Sequence, residues 1–333
     1  MSTESVSQEK RTVGELISSV AQQKLLAFAG LIVLLVGFSL ASPNFMQTAN
    51  MIAILQATSV NGVLAIAATL VIIAGGIDLS VGTLMTFCAV IAGVLLTYLG
   101  LPMVIGVPGA LLAGIASGAV TGLLIARFRI PPFIATLGMM LVFKGLSLAI
   151  SGARPIYFND TPGFDLISRG SLIGYFVPSV PIPNGVLILF VVALGTSYIL
   201  TRTVLGRFTF ALGSNEEALR LSGVDINRWK MYVYSLAGGI CGIAGILLAS
   251  RINSAQPAIG QGYELDAIAA VVIGGTSLKG GQGTMLGTII GALIISVVAN
   301  GLRILSVPQE WQIVVTGTII IVAVYLDILR RRG

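Results

Sequence analysis

LSVGTLMTFCAVIAGVLLTYLGLPMVIGVPGALLAGIASGAVTGLLIA, Leu79 to Ala126, contains no Asp, Glu, Lys or Arg. At about 20 residues per crossing it is long enough for two membrane-spanning helices. Leu25 to Ile77 is a second run without a charge, and Asp78 alone separates the two. Of the 333 residues, 56% are hydrophobic and only 10% are charged, a balance outside that of soluble domains. The sequence therefore predicts an all-α polytopic membrane protein. Its 41 glycines fit helices that pack closely through small residues, as in Gly114-Ile-Ala-Ser-Gly118.

Working outward from these runs, the first span is Leu25 to Ser42, broken by Pro43-Asn44, and the second is about Met51 to Ala74. The third covers about Thr83 to Leu99, the fourth Met103 to Ala126 and the fifth Phe133 to Ile150. A polar, Pro-rich loop over residues 151–183 leads to the sixth, Gly185 to Leu200. The seventh is Met231 to Ala249, the eighth Leu265 to Ile273, the ninth Thr284 to Leu302 and the tenth Trp311 to Leu329. The transmembrane domain is thus residues 25–329, between a polar tail (1–24) and a basic one (330–333). With the N-terminus inside, Lys10, Arg11, Lys24, Arg127, Arg129, the group Arg202 to Lys230, Lys279 and Arg330 to Arg332 all fall on the cytoplasmic side. Only Lys144, Arg154, Arg169, Arg251 and Arg303 fall towards the outside. The net charge of +6 is therefore topology signal and predicts no nucleic-acid face.

Several chemistries are excluded. There is no His, which removes His-based proton relays and Ser-His or Cys-His nucleophile pairs. The two cysteines, Cys88 and Cys241, lie in apolar runs and read as packing residues. The Gly-rich run Gly274 to Gly283 holds Lys279 but no Gly-Lys-Ser or Gly-Lys-Thr, so no phosphate loop predicts ATP binding by this chain.

Against this apolar background Thr203 to Lys230, TVLGRFTFALGSNEEALRLSGVDINRWK, stands out with seven charges. Ser214 followed by Glu217 has the spacing of a capping box, Ala218, Leu219 and Leu221 give a small apolar face, and Gly223 suits a helix stop. Two turns of helix are marginal alone. From the spacing, two readings stand: a capped turn that joins two spans, or a helix that packs on another protein.

Ile72 to Gly82, IIAGGIDLSVG, matches Val271 to Gly281, VVIGGTSLKGG, sharing the Gly pairs Gly75-Gly76 and Gly274-Gly275, a Leu and the last Gly. Both interrupt an apolar run, and such interruptions border substrate paths in many transporters. Charged groups inside apolar spans are functional candidates by default, here Asp78, Glu264 and Asp266. The structural alternatives are that Asp78 N-caps the third span and that Asp266 caps or orients the eighth. Glu264 and Asp266 are two residues apart and face different sides of a helix, so no shared proton site is expected. Lys144 and Asp327 read as snorkelling side chains. Asn61, Ser80, Ser277, Thr136 and Asn300 either line a hydrophilic path or bond between helices.

GGIDLSVG (Gly75 to Gly82), LGSNEEALRLSGVD (Leu212 to Asp225) and SAQPAIGQGYELDAIAAVVIGGTSLKGGQGT (Ser254 to Thr284), in this order, resemble the membrane permease subunits of ribose-type ABC importers. The resemblance runs over nearly the whole chain. It implies a ten-span permease of the bacterial cytoplasmic membrane, working as a pair of copies. Two ATPase domains that bind ATP and Mg would sit inside, and a sugar-binding protein outside. It also implies that the loop 203–230 couples to the ATPase through Gly213, Ser214, Asn215, Glu216, Glu217, Ala218, Leu219, Arg220, Leu221, Ser222 and Gly223. Leu219 and Leu221 would fill a groove, with Glu216, Glu217 and Arg220 setting register at its rim. The loop 151–183 would be periplasmic. The resemblance does not name the sugar, and the competing expectation is a self-sufficient ion-coupled transporter with Asp78 or Asp266 as its coupling carboxylate.

Overall fold

A computed structural model of the chain describes residues 13–332. The expectations for Lys10 and Arg11 lie outside the described residues, as do those for the side chains of Lys24, Asp327 and Arg330 to Arg332. Helices α1 (Val13–Ala41), α2 (Thr48–Ile73) and α3 (Val81–Gly93) come first, α3 continuing as a π-helical turn over Val94–Tyr98. Next are α4 (Met103–Ala126), α5 (Pro132–Ser151), the strand β1 (Ile156–Tyr157) and the short helices α6 (Leu166–Arg169) and α7 (Leu172–Phe176). Then follow α8 (Asn184–Arg202), α9 (Val204–Ser214), α10 (Glu216–Leu221), α11 (Ile226–Ile252) and the strand β2 (Ser254–Ala255). The chain closes with α12 (Tyr263–Ile273), α13 (Met285–Ile304) and α14 (Gln309–Arg332).

Prolines mark the starts: Pro102, Pro131 and Pro183 are the N-cap residues of α4, α5 and α8, where a missing N–H costs the helix nothing. Seven helices, α2 to α5, α8, α11 and α13, are long and apolar enough to cross a bilayer; α1 and α14 carry shorter apolar stretches, Leu25–Ala41 and Gln309–Val322. The expected first, eighth and tenth spans are not among these seven, and the eighth is the shortest. The 11 residues of α12 rise only about 16 Å at about 1.5 Å each, half a hydrocarbon core. α12 enters the bundle and stops inside it.

The helices sort into an inner and an outer group. The apolar windows of α11 and α3 are 78% and 72% buried, whereas that of α4 is 22% buried. Val104, Leu112, Leu141, Val191 and Leu194 on α4, α5 and α8 are exposed, as lipid-facing side chains must be. The main core joins α2, α3, α11, α12 and α13, and α5 and α8 each add one buried face to it through Met139, Phe143, Leu189 and Ala193. α4 lies against α11 backbone to backbone. A Cβ on Gly114 would stand 2.5 Å from the Gly238 oxygen, and one on Gly118 would stand 2.9 Å from the Tyr234 carbonyl carbon. The small-residue stripe predicted from Gly114 and Gly118 is therefore a close helix crossing, with Gly238 and Gly242 facing it.

One end of the bundle differs from an all-α expectation. β1 and β2 form a two-stranded antiparallel ribbon, Ile156 opposite Ala255 and Tyr157 opposite Ser254. The 151–183 segment, expected as a polar loop, is instead folded down by its own apolar residues. Phe158 and Phe164 are fully buried with ring centroids 4.1 Å apart. Ser250 of α11 donates its hydroxyl to the Phe164 carbonyl at 2.7 Å and accepts from the Ser168 N–H at 2.8 Å. We call this the ribbon end, and the other the α10 end.

Candidate functional site

At the α10 end three caps build a double corner. The Thr203 hydroxyl accepts from Gly206 N–H to start α9, the Asn215 carboxamide oxygen accepts from Ala218 N–H at 2.9 Å to start α10, and Asp225 accepts from Arg228 N–H at 3.2 Å to start α11. The predicted Ser214–Glu217 capping box does not form. Ser214 is the last residue of α9 and donates its hydroxyl back to the Phe210 carbonyl at 2.8 Å. Asn215 takes the cap because its backbone is extended there (φ −163°, ψ 93°). The Gly223 stop stands, with φ +78°.

The side chains of α10 also sort differently from the sequence reading. Leu221 is 81% exposed, whereas Leu219 is half-buried. Residues two apart lie on different sides of a helix, so the outward apolar face pairs Leu221 with Ala218 rather than with Leu219. Glu216 bonds Lys230 of α11 at 2.7 Å and Arg220 at 3.5 Å, and Arg220 also reaches Glu217 at 3.5 Å. Glu216 thus holds α10 to its own bundle, while Ser214, Glu217, Ala218, Leu221 and Ser222 face outward.

Behind this corner lie the two interruptions that echo each other in sequence. Both helices before them end identically: Gly75 N–H donates to Ile72 O and Gly76 N–H to Val71 O, while Gly275 N–H donates to Val272 O and Thr276 N–H to Val271 O. Gly75 (φ +83°) and Gly275 (φ +85°) are the left-handed residues that stop α2 and α12. The structural match is therefore one residue out of register with the sequence match, pairing Gly75 with Gly275 and not with Gly274. Gly274 instead gives close approach to α13, where a Cβ would stand 2.8 Å from Thr288 N.

Asp78 is buried, but it is not the N-cap of α3; Ser80 occupies that position. One oxygen of Asp78 accepts from the Ser80 N–H at 2.7 Å and the Ser80 hydroxyl at 2.6 Å, which ties the extended turn before α3. Thr136 of α5 donates to the Ile77 carbonyl in the same turn. At the head of α12 the bracing carboxylate is Glu264, not Asp266: both its oxygens accept from Gly262 N–H, at 3.0 and 3.1 Å. Ser277 shapes the second interruption, accepting from Lys279 N–H at 3.2 Å. Lys144 does not simply snorkel, since its ammonium donates to the Gln261 side chain at 2.8 Å.

Of the path candidates, Asn61, Asp266 and Asn300 come together, in a cavity of about 730 Å³ at the ribbon end. The first half of α2, the head of α12, the end of α13 and the start of α14 enclose it. Gln56, Gln261, Gln309 and Gln312 add amides to its wall, Arg251, Arg303 and Asp266 add charges, and Ser296 adds a hydroxyl with no bonding partner. Gly75, Gly76, Asp78, Ser80, Glu264, Gly274, Gly275 and Ser277 are not in this wall. The sequence reading missed most of the wall, yet a signal existed. Ser296, Asn300 and Arg303, and again Gln309, Gln312 and Thr316, recur at helical spacing on otherwise apolar helices.

The structure is thus a many-spanning helical bundle with a polar cavity at one end and a charged double corner at the other. The profile of the family described as "Branched-chain amino acid transport system / permease component" matches residues 50–324. The ribose import permease protein RbsC of Escherichia coli K12 is 44% identical over 92% of this chain and 93% of its own. The protein of the same name from Bacillus subtilis is 42% identical over 92% of each chain. The fructose import permease protein FrcC of Rhizobium meliloti is 36% identical over 85% of this chain and 79% of its own. Among solved structures there is no significant match. The chain belongs to this permease family, within its ribose-type ABC-importer branch.

Proposed function

We propose that this chain forms the translocation path for a monosaccharide, as one of two identical copies in the bacterial cytoplasmic membrane. The observation that carries the reading is the amide-lined cavity at the ribbon end, joined to the α10 corner by the length of α2 and α12. Amides present both donors and acceptors to a hydroxylated, neutral solute, and a solute held by such groups leaves as readily as it enters. The relatives' names support a sugar, without choosing among ribose, fructose and xylose.

In this reading the seven long helices, α1, the short α12 and α14 make ten membrane elements, with both termini and the α10 corner in the cytoplasm. The ribbon end then faces outward, where residues 151–183 meet a sugar-loaded binding protein. The outward face of α10 docks on a separate ATPase that binds ATP and Mg. Closure of the ATPase pair would move the two corners together and alternate access by rigid-body tilt.

The test is reconstitution of the chain in liposomes with and without its ATPase and binding protein, following labelled sugar. Uptake that requires ATP and both partners is the expected outcome. Sugar movement by the chain alone, driven by an ion gradient, would refute the reading and restore the ion-coupled carrier.

A further inference from the structure

The α10 corner meets the bundle in a way that docking alone does not require. Gly213, in the last turn of α9, lies directly on the Ile73 carbonyl that ends α2, and a Cβ there would also stand 2.5 Å from the Gly281 nitrogen. A Cβ on Gly280 would stand 2.9 Å from the Cα atoms of both Gly213 and Gly75. One on Gly281 would stand 3.1 Å from the Ser214 Cα. Gly281 N–H closes the junction by donating to Ile73 O at 2.8 Å. Three segments far apart in sequence thus meet mainly through main chain, the Ser214 hydroxyl beside Gly281 being the one side-chain group among these contacts.

Side-chain contacts yield by changing rotamer, but main chain at van der Waals distance has no such freedom. We propose that Gly75, Gly213, Gly280 and Gly281 form a rigid joint that carries displacement of the α10 corner directly onto the ends of α2 and α12. The opposite ends of those two helices wall the polar cavity. The four glycines are positioning residues: they act by leaving no slack between the docking corner and the cavity wall. Both interruptions then serve one joint, which is why both carry the same left-handed helix stop.

The inference rests on α10 being the ATPase contact, and the test separates the two. In the reconstituted full transporter, co-purification of the ATPase reports docking, while sugar uptake and its stimulation of ATP hydrolysis report coupling. Gly280→Ala, outside the coupling set, is expected to keep the ATPase bound while uptake falls by about tenfold or more and hydrolysis no longer responds to loaded binding protein. Wild-type uptake by Gly280→Ala would overturn the joint; a wild-type chain that binds no ATPase at α10 would overturn the docking reading instead. A second variant covers loss of folding. Ser214→Cys with Lys279→Cys, bridged by a short thiol crosslinker, should transport within about twofold of the unbridged form, because a joint that moves as one body is indifferent to a tether. Uptake lost on bridging and regained on reduction, with the ATPase still co-purifying with the bridged form, would show that the joint opens, and would overturn the proposal.

Discussion

The N–H of Gly281 donates to the carbonyl oxygen of Ile73 at 2.8 Å, so the turn after α12 satisfies a carbonyl at the end of α2. An interior helix end leaves carbonyls without partners, and in lipid-excluded surroundings each orphan is costly. The two interrupted helices thus complete each other, and α13 is tied to the same pair. Thr69 of α2 and Thr288 of α13, both fully buried, share a hydroxyl contact of 2.7 Å.

That contact predicts a non-additive pair. Each hydroxyl also lies against its own helix carbonyl, at Ala65 and Thr284. Thr69→Val should therefore cost about 1 kcal/mol, in the range of buried interhelical bonds. Thr69→Val with Thr288→Val should cost less than the sum of the singles, because no unpaired partner is left. Thermal unfolding in detergent, run as a double-mutant cycle, measures the difference.

The α4–α11 crossing predicts opposite outcomes for two glycines. Gly118→Val puts side-chain atoms into the Tyr234 main chain and should cost about 1–3 kcal/mol or more, with loss of a monodisperse peak in size-exclusion chromatography. Gly138 of α5 has no atom within 4 Å of its added Cβ. Gly138→Ala should keep or raise stability, by roughly 0.5–1 kcal/mol.

Asp78 separates a structural carboxylate from a coupling one. Asn at this position can still accept from the Ser80 N–H and hydroxyl, so Asp78→Asn should leave uptake within about threefold, whereas Asp78→Ala orphans both donors and should cost about 1–3 kcal/mol. Uptake that collapses in a stably folded Asp78→Asn variant would instead support ion coupling.

On α10, the two leucines should behave differently. Leu221→Asp changes an exposed side chain, so the permease should fold normally; if α10 docks the ATPase as proposed, it should lose the ATPase in co-purification, forfeiting about 1.5–3 kcal/mol of apolar burial. Leu219→Asp should lower the melting temperature of the permease itself. Asn215→Ala removes the cap and should weaken the corner by about 0.5–2 kcal/mol, with Asn215→Ser restoring most of it.

The charge-free runs and the Gly114–Gly118 stripe are legible in the sequence itself, because lipid imposes its demand residue by residue. A helix that must satisfy every main-chain group internally announces itself by length and apolarity. The same holds for the polar 203–230 segment and its Gly223 stop. Local caps were less legible. Ser214 and Asn215 are both good caps in sequence, and the cap falls on Asn215 because the backbone is extended there while Ser214 still ends α9.

Tertiary structure alone decided the rest. It placed Glu264 rather than Asp266 at the head of α12, turned Leu221 outward and Leu219 inward, folded 151–183 onto Ser250, and slipped the echo to pair Gly75 with Gly275. It also gathered Asn61, Asp266, Asn300 and Arg303 into one cavity. Local pattern records the medium that each residue must face, whereas a cavity, a cap partner or a joint depends on which distant segments meet. In this bundle those meetings are set by glycines whose only signature is the side chain they lack.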